Sequence, residues 1–357
     1  MQLKTKADPG KLLVINVGST SVKLALFSDA QQTAATEAAF DHALAGAPAV
    51  AAVVAAARAF LHGAGVDPDS LRAIAARGGL LRPLAGGTYR VNAAMLQDLA
   101  AATYGRHASN FSALAAAELA RRAGTPAYIV DPVTVDELAD EAAITGIPAI
   151  RRRSIFHALS QKAAARRAAA ELGKRYEESS LIVAHLGGGI SVAAHQHGRV
   201  IDVNNALDGD GPLAPERAGT IPAGSLAELC LSGKHTLPEI KRMLAGHGGM
   251  SAHLGTDDMR QVEQRIQAGD ARAALLTRAM ALAIARQIGA MAAVLSGRVD
   301  AIVLTGALVQ WLRLRDLLHP RIAFLGPVLI YAENMEMAAL AQGVQRVLTG
   351  AEHAQDY

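Results

Sequence analysis

Two short polar turns hold the residues best suited to phosphate chemistry. The first, "NVGSTSVK" at 16–23, offers an amide, hydroxyls and an ammonium in Asn16, Ser19, Ser21 and Lys23. The second, "HLGGGIS" at 185–191, offers His185 and the run Gly187, Gly188, Gly189. Hydroxyls and glycine amides in a tight turn donate several hydrogen bonds to phosphoryl oxygens, and glycine lets the backbone come close. The phosphate loop of the common NTPases leads from a strand into a helix, whereas both turns here lead into a second apolar strand. Each alone also reads as an ordinary hairpin turn or a flexible linker. Their recurrence at corresponding points of the two halves, roughly 170 positions apart, argues for a nucleotide cleft.

Other chemistry-bearing side chains stand at the ends of apolar runs. Arg77, in "AARGGLL", closes one such run, and an unpaired guanidinium there is costly to bury, so it should meet an anion. His107 and Asn110, in "RHASNF", sit just before a helical stretch that Ser109 or Asn110 can cap. Asp131, in "YIVDPV", ends a buried strand, on the edge where open α/β sheets bind ligands. Each has a purely structural reading as well. His107 reads as a cap-region residue, Asp131 as a turn former before proline, and His157 in "SIFHALSQ" as a packed helix residue.

Positioning these residues requires a repeated scaffold. An apolar strand, the polar turn, the strand "KLALF" and a weaker third strand near 34–40 open the chain; "LIVA", the triple glycine, 190–194 and 200–203 repeat that order. Between and after them, "NAAMLQDLAAATYG", "NFSALAAAELARRAG", "SIFHALSQKAAARRAAAELG" and the long stretch from 270 carry apolar residues at helical spacing, each closed by glycine. The strands "PAYIVD" and "DAIVLTG" separate them. This is a β-β-β-α-β-α plan met twice, with a mostly parallel sheet expected in each half and the antiparallel hairpin appended.

With 357 residues the chain exceeds one comfortable core, so two domains are expected. The mean hydropathy of +0.20 comes largely from alanine-rich helices. No apolar stretch reaches the ~20 residues of a spanning helix, and "MQLKTKADPGK" lacks a signal-peptide core, so no membrane association is expected and the reading is cytoplasmic. The one cysteine, Cys230, excludes an internal disulfide and a multi-cysteine metal cluster, and reads as packing. Lys and Arg number 35 against 32 Asp and Glu, scattered apart from "IRRRS", with 4% aromatics; nucleic acid is not an expected partner.

The chain closely resembles the butyrate kinases, or branched-chain carboxylic acid kinases, relatives of acetate kinase. The resemblance rests on "INVGSTSVK", "RGGLLRPLAGGTYRVN", "HASN", "IVDPVTVDE", "LIVAHLGGGISVAAHQHGRVIDVNNALDGDGP", "PERAGTIP" and "HLGTDD" in the expected order, over roughly residues 12–340. It implies the duplicated actin-like ATPase fold (acetate and sugar kinase, heat-shock chaperone, actin), an α/β architecture of two domains around a central nucleotide cleft. The domains would span 1–155, completed by 335–357, and 156–334. The implied reaction moves the ATP γ-phosphoryl group reversibly to a short-chain carboxylate, giving acyl phosphate and ADP with magnesium.

Carried over residue by residue, the resemblance makes Arg77 and Arg217 ("PERAG") contacts of the carboxylate and the moving phosphoryl group, with His157 donating to its oxygens. Asp131 would orient near the metal; His107 and Asn110 would lie by the substrate. Asn16, Ser19, Ser21, Lys23, His185, Gly187, Gly188, Gly189 and Gly306 would bind ATP or ADP. Two departures stand out: "LTGALVQW" puts Ala307 where the family has a second glycine, which would weaken nucleotide binding, and "YAENMEM" leaves Glu333 and Glu336 as alternatives for the carboxylate nearest magnesium. The resemblance also implies a homo-oligomer, a dimer or larger. Two rival readings remain: an actin- or chaperone-like regulatory ATPase, and a family member weakened or silenced at its adenosine loop.

Overall fold

The computed structural model describes residues 10–357 except 19 and 42. The chain forms two compact units: one runs to Val135 and takes in Met335–Tyr357, the other is Asp136–Asn334. Segment 136–155 belongs with the second unit, where Ala139 N–H donates to the Ile201 carbonyl, Arg152 pairs with Asp202, and Glu137 pairs with Lys162.

The first unit contains β1 Lys11–Val17, β2 Ser21–Ser28, β3 Gln31–Ala39, β4 Leu71–Arg77, β5 Thr88–Arg90 and β6 Ala127–Val130, in sheet order β3-β2-β1-β4-β6-β5. Its helices are α1 Gly46–Gly63, α2 Ala93–Ala101 and α3 Asn110–Ala123, with α11 Glu336–Leu348 added from the C-terminus. The expected weak third strand is a full nine-residue strand paired along β2. The second unit contains β7 Ser180–Leu186, β8 Ile190–Gln196, β9 Arg199–Val203, β10 Ala301–Thr305 and β11 Val328–Tyr331, in order β11-β10-β7-β8-β9. Its helices are α4 Ala158–Glu171, α5 Ala223–Leu231, α6 Leu237–Leu244, α7 Gly249–Leu254, α8 Met259–Gln267, α9 Ala271–Val294 and α10 Leu312–Ile322.

The two sheets repeat one plan, but they are mixed rather than mostly parallel. Each hairpin and its third strand pair antiparallel, while β1-β4-β6 and β7-β10-β11 pair parallel. Each unit has its own apolar core.

Strand alternation assigns the faces. Leu13, Ile15, Val17, Leu24, Leu26, Ile74 and Ala76 build the core against α1 and α3, while α11 packs on the other face of β1, β4 and β6. There Gly343 approaches Val130 so closely that a Cβ would stand 2.5 Å from a valine methyl. In the second unit, Ile182, Ala184, Val192, Ala194, Ile302 and Leu304 share the core with α9, leaving residues 181, 183, 185, 191, 193 and 195 on the face that α4 covers.

Several local expectations change. Glycine does cap α3 through Gly124 in the left-handed region, but α2 ends on Ala102 in that conformation. Ser109 stands at the start of α3 without a side-chain capping bond. Cys230 is exposed, on a helix none of whose residues is buried, so it is not a packing residue. Among the described helices, α1 is long and apolar enough to cross a membrane by length and composition; here Ala49, Val53, Val54, Ala57 and Leu61 form its buried face and it packs on α3 and β2.

Candidate active site

In the first unit three neighbouring strands align their polar residues on the α11 face. Asn16 is directly opposite Lys23 in the antiparallel register, so the two side chains share a face. Extending the parallel register Ile15–Ala76 by one residue brings Asn16 beside Arg77, whose Nη1 donates to Asn16 Oδ1 at 3.4 Å. The Asn16 amide in turn donates to Glu336 Oε2 at 2.9 Å, at the first residue of α11. Arg77 and Lys23 make no ion pair among the described residues. Two cations thus flank one buried amide at a strand-end edge, an arrangement suited to anions.

The turn itself is tight: Gly18 N–H donates to the Ser21 carbonyl at 2.8 Å, and Val17 N–H donates to Ser112 Oγ at 3.0 Å. Ser19 lies outside the described residues. Asp131 follows β6 at the same edge, buried, with a positive φ of 39° that few non-glycine residues adopt. Its backbone and side chain both bond Gly87, the N–H of which donates to Asp131 Oδ1 at 2.8 Å. This reciprocal clamp holds the strained residue in place.

His107 Nδ1 lies 2.7 Å from Ser109 Oγ and accepts the Ser109 N–H at 3.2 Å, which leaves its hydrogen on Nε2 when the ring is neutral. Surrounding protein atoms first, and then Arg77, lower its pKa, although part of the ring meets solvent. Asn110 is a brace rather than a cap, accepting from Leu80 N–H and donating to the Gly105 carbonyl. Both residues line a cleft of roughly 1130 Å³ in this unit, walled by Leu44, Val50, Leu96, Leu99, Phe111 and Leu114.

In the second unit the triple glycine interlocks with "PERAG". Glu216 N–H donates to the Gly188 carbonyl, and a Cβ on Gly188 would meet the Glu216 carboxylate at 3.1 Å. Arg217 lies along Gly189 and donates to the Ala206 carbonyl and to Glu216. His157 precedes α4 rather than lying within it, and its ring stacks on His185 with centroids 4.1 Å apart.

Gly306 follows β10 with φ 93°, and a Cβ there would stand 2.4 Å from the Leu186 carbonyl oxygen, so this close approach requires glycine. Ala307, next in line, is exposed and does not take a positive φ; its conformation makes no demand for glycine. Glu333 pairs with Arg167, whereas Glu336 pairs with Asn16.

A family model described as the acetokinase family matches residues 139–342, more than half of the chain. The chain belongs to the acetokinase family. Solved structures agree in fold. The acetate kinase of Porphyromonas gingivalis is 19% identical with a TM-score of 0.77, covering 95% of this chain and 100% of that one. A propionate kinase from Francisella tularensis subsp. tularensis is 22% identical with a TM-score of 0.75, covering 94% and 98%. A ROK hexokinase from Thermus thermophilus is 15% identical with a TM-score of 0.51, covering 94% and 98%. The architecture is the acetate kinase fold with its actin-like neighbours, and the acetokinase-family assignment makes the chain a carboxylate kinase.

For this acetokinase-family protein the donor chemistry fits magnesium. Asp131 and Glu336 offer oxygens in the first unit, and among the described residues no cluster of three or more His, Cys, Asp or Glu forms a closed cage. Magnesium is commonly held in this way, by one or two carboxylates plus substrate phosphates and water. Sequence reasoning passed over Gln161, Tyr176, Ser191 and His195, which lie buried behind His157. Two spacings carried the signal: 157 and 161 are four apart on a helix start, and 191, 193 and 195 alternate onto one strand face.

Proposed function

We propose that this protein transfers the γ-phosphoryl group of ATP reversibly to butyrate or a branched short-chain acid, with magnesium, giving an acyl phosphate and ADP. The observation that carries the reading is the alignment of Lys23, Asn16 and Arg77 on one strand-end face with Glu336 at the adjoining helix start. A carboxylate is already an anionic nucleophile, so no base is needed; what the reaction needs is positive charge against like-charge repulsion and against the charge of the phosphoryl group in flight.

Arg77 supplies that charge to the substrate carboxylate, and Arg217 and His157 donate to the phosphoryl oxygens. The buried, clamped Asp131 orients without deprotonating. When bound with nucleotide, magnesium neutralises charge on the phosphate oxygens. Asn16, Ser19, Ser21 and Lys23 serve one phosphate turn, with His185, Gly187, Gly188 and Gly189 serving the other and Gly306 the adenosine side. The apolar cleft beside His107 and Asn110 supports an aliphatic acid over a polar one. We also place the protein in the cytoplasm as a homo-oligomer.

The test is a panel of acids from acetate to isovalerate incubated with ATP and magnesium, trapping acyl phosphate with hydroxylamine. Greatest turnover on butyrate or isobutyrate is expected. Greatest turnover on acetate refutes the substrate assignment, and no hydroxamate with any acid refutes the reaction.

A further inference from the structure

We propose that Ser191, Gln161, His195 and Tyr176 form a buried relay that holds His157 in the tautomer carrying its hydrogen on Nε2. The proposal rests on the reading above, in which His157 donates to the transferring phosphoryl group. Its geometry is independent of that reading.

The Ser191 carbonyl oxygen can only accept a hydrogen bond. The Gln161 amide nitrogen lies 3.0 Å from the Ser191 carbonyl oxygen and 2.8 Å from Ser191 Oγ. Because a carbonyl cannot donate, the nitrogen end of the amide must face Ser191, which fixes the orientation of the amide. Gln161 Oε1 therefore faces His195 Nε2 at 3.0 Å, and that nitrogen carries a hydrogen. His195 is fully buried and neutral: burial first, then Lys162 and Arg166, holds its pKa well below the ordinary value. Its Nδ1 is then a lone pair, and Tyr176 donates its hydroxyl hydrogen to it at 2.8 Å. Lys162 and Arg166 stand over the Tyr176 ring at 5.7 and 5.3 Å.

The other end of the relay reaches the candidate active site. Ser191 Oγ already receives a hydrogen from Gln161, and among the described residues its remaining partner is His157 Nδ1 at 2.8 Å. Ser191 has no solvent exposure, so its own hydrogen goes to His157 Nδ1. With Nδ1 accepting, a neutral His157 ring bears its hydrogen on Nε2 and is a donor there. The opposite tautomer would have Ser191 Oγ accept twice and leave its own hydrogen stranded. Ser191, Gln161, His195 and Tyr176 are thus positioning residues that act through His157.

The experiment is long-range ¹H–¹⁵N NMR of the full chain labelled with ¹⁵N-histidine, assigned with His157→Gln and His195→Gln. Both rings are expected to show hydrogen on Nε2 in wild type without substrates. Ser191→Ala should mix the two tautomers of His157 while leaving His195 unchanged. It should lower kcat by about 10–100-fold, less than the ~10²–10³-fold of deleting a transition-state donor, with KM values within about twofold. Ser191→Thr keeps the hydroxyl on a strand and should restore both spectrum and kcat.

Hydrogen on Nδ1 of His157 in wild type overturns the proposal. An unchanged His157 tautomer in Ser191→Ala overturns it too, as does the absence of rescue in Ser191→Thr. Should Ser191→Ala fail to fold, Gln161→Met, which frees the serine hydroxyl to rotate, should mix the His157 tautomers in the same way, and an unmixed spectrum refutes the relay. If wild type makes no acyl phosphate, the proposed reaction falls while the spectra still decide the tautomer.

Discussion

Replacing Lys162 with methionine is the sharpest test of how the second unit holds its site face together. The Lys162 ammonium lies 3.0 Å from both Glu137 carboxylate oxygens and 3.1 Å from the Gly198 carbonyl. The two side chains are 2% and 7% exposed, so water does not substitute for either partner. Methionine keeps the stem and removes the charge, leaving Glu137 a buried carboxylate with the Val200 N–H at 2.7 Å. Breaking a buried pair by removing one partner costs roughly 3–5 kcal/mol, and that surviving bond favours the lower end, about 3 kcal/mol. For a unit of roughly 200 residues, this corresponds to a melting temperature about 6–12 °C lower. The double variant Glu137→Gln with Lys162→Met keeps an acceptor for Val200 and offers a donor to Gly198, and should return to within about 1 kcal/mol of wild type, since neutral replacements of buried pairs are often neutral overall. Urea titrations with thermal scans of the four proteins measure the cycle. A single variant that loses less than about 1 kcal/mol, or a double variant no more stable than the single, refutes the claim that these charges hold each other.

Other perturbations follow from the same geometry. As pH falls through 6.5 the unfolded chain takes up a proton at position 195 that the folded protein refuses, so stability should fall with decreasing pH by up to about 1.4 kcal/mol per unit from this residue, the effect fading within about one unit above pH 6.5. His107, also lowered, adds in the same direction; His195→Gln should flatten the slope in urea titrations between about pH 8 and pH 5. Gly306→Ala should destabilise by roughly 1–3 kcal/mol and lower ATP affinity, because its methyl meets the Leu186 carbonyl at a positive φ, whereas Ala307→Gly should shift stability by less than about 1 kcal/mol in a melting assay. Arg77→Ala should lower kcat/KM for the acid by about 100-fold or more in the hydroxamate assay, with Arg77→Lys recovering only part because it loses the planar fork.

The repeated hairpins were legible because period-two apolar runs and glycine turns are local signals, and the twin turns supported each other. Arg77 and Asp131 were legible for the same reason, each standing where an apolar run stops. The third strand of the first hairpin was faint since Gln31–Ala39 is mostly exposed and supplies no apolar stripe. Where the hidden residues failed to announce themselves, the cause was distance. Gln161 lies 30 positions from Ser191 and 34 from His195, and it reads as one more polar residue in an alanine-rich helix until the sheet brings β8 beneath it. Segment 136–155, placed in the first domain by the resemblance, clusters with the second unit through equally distant contacts, Glu137 with Lys162 and Arg152 with Asp202.

Register also changes which residues of the two hairpins correspond. In sequence, the serine of "GIS" and Ser21 of "STS" both precede a valine. The strands pair otherwise. Val17 faces Val22 across a four-residue turn, but Leu186 faces Ile190 across a three-residue turn, so one residue less separates the second pair. With Asn16 and His185 as equivalent strand-end residues, the partner of Asn16 is Lys23 and the partner of His185 is Ser191. A cation in one unit therefore occupies the place that a hydroxyl takes in the other. Each strand-end residue also touches the start of the helix covering its face, Asn16 through Glu336 of α11 and His185 through His157 ahead of α4. The duplicated scaffold thus builds two different instruments at one topological position. The first presents charge beside a carboxylate, and the second presents an imidazole whose far nitrogen is set by the serine standing where the first has lysine.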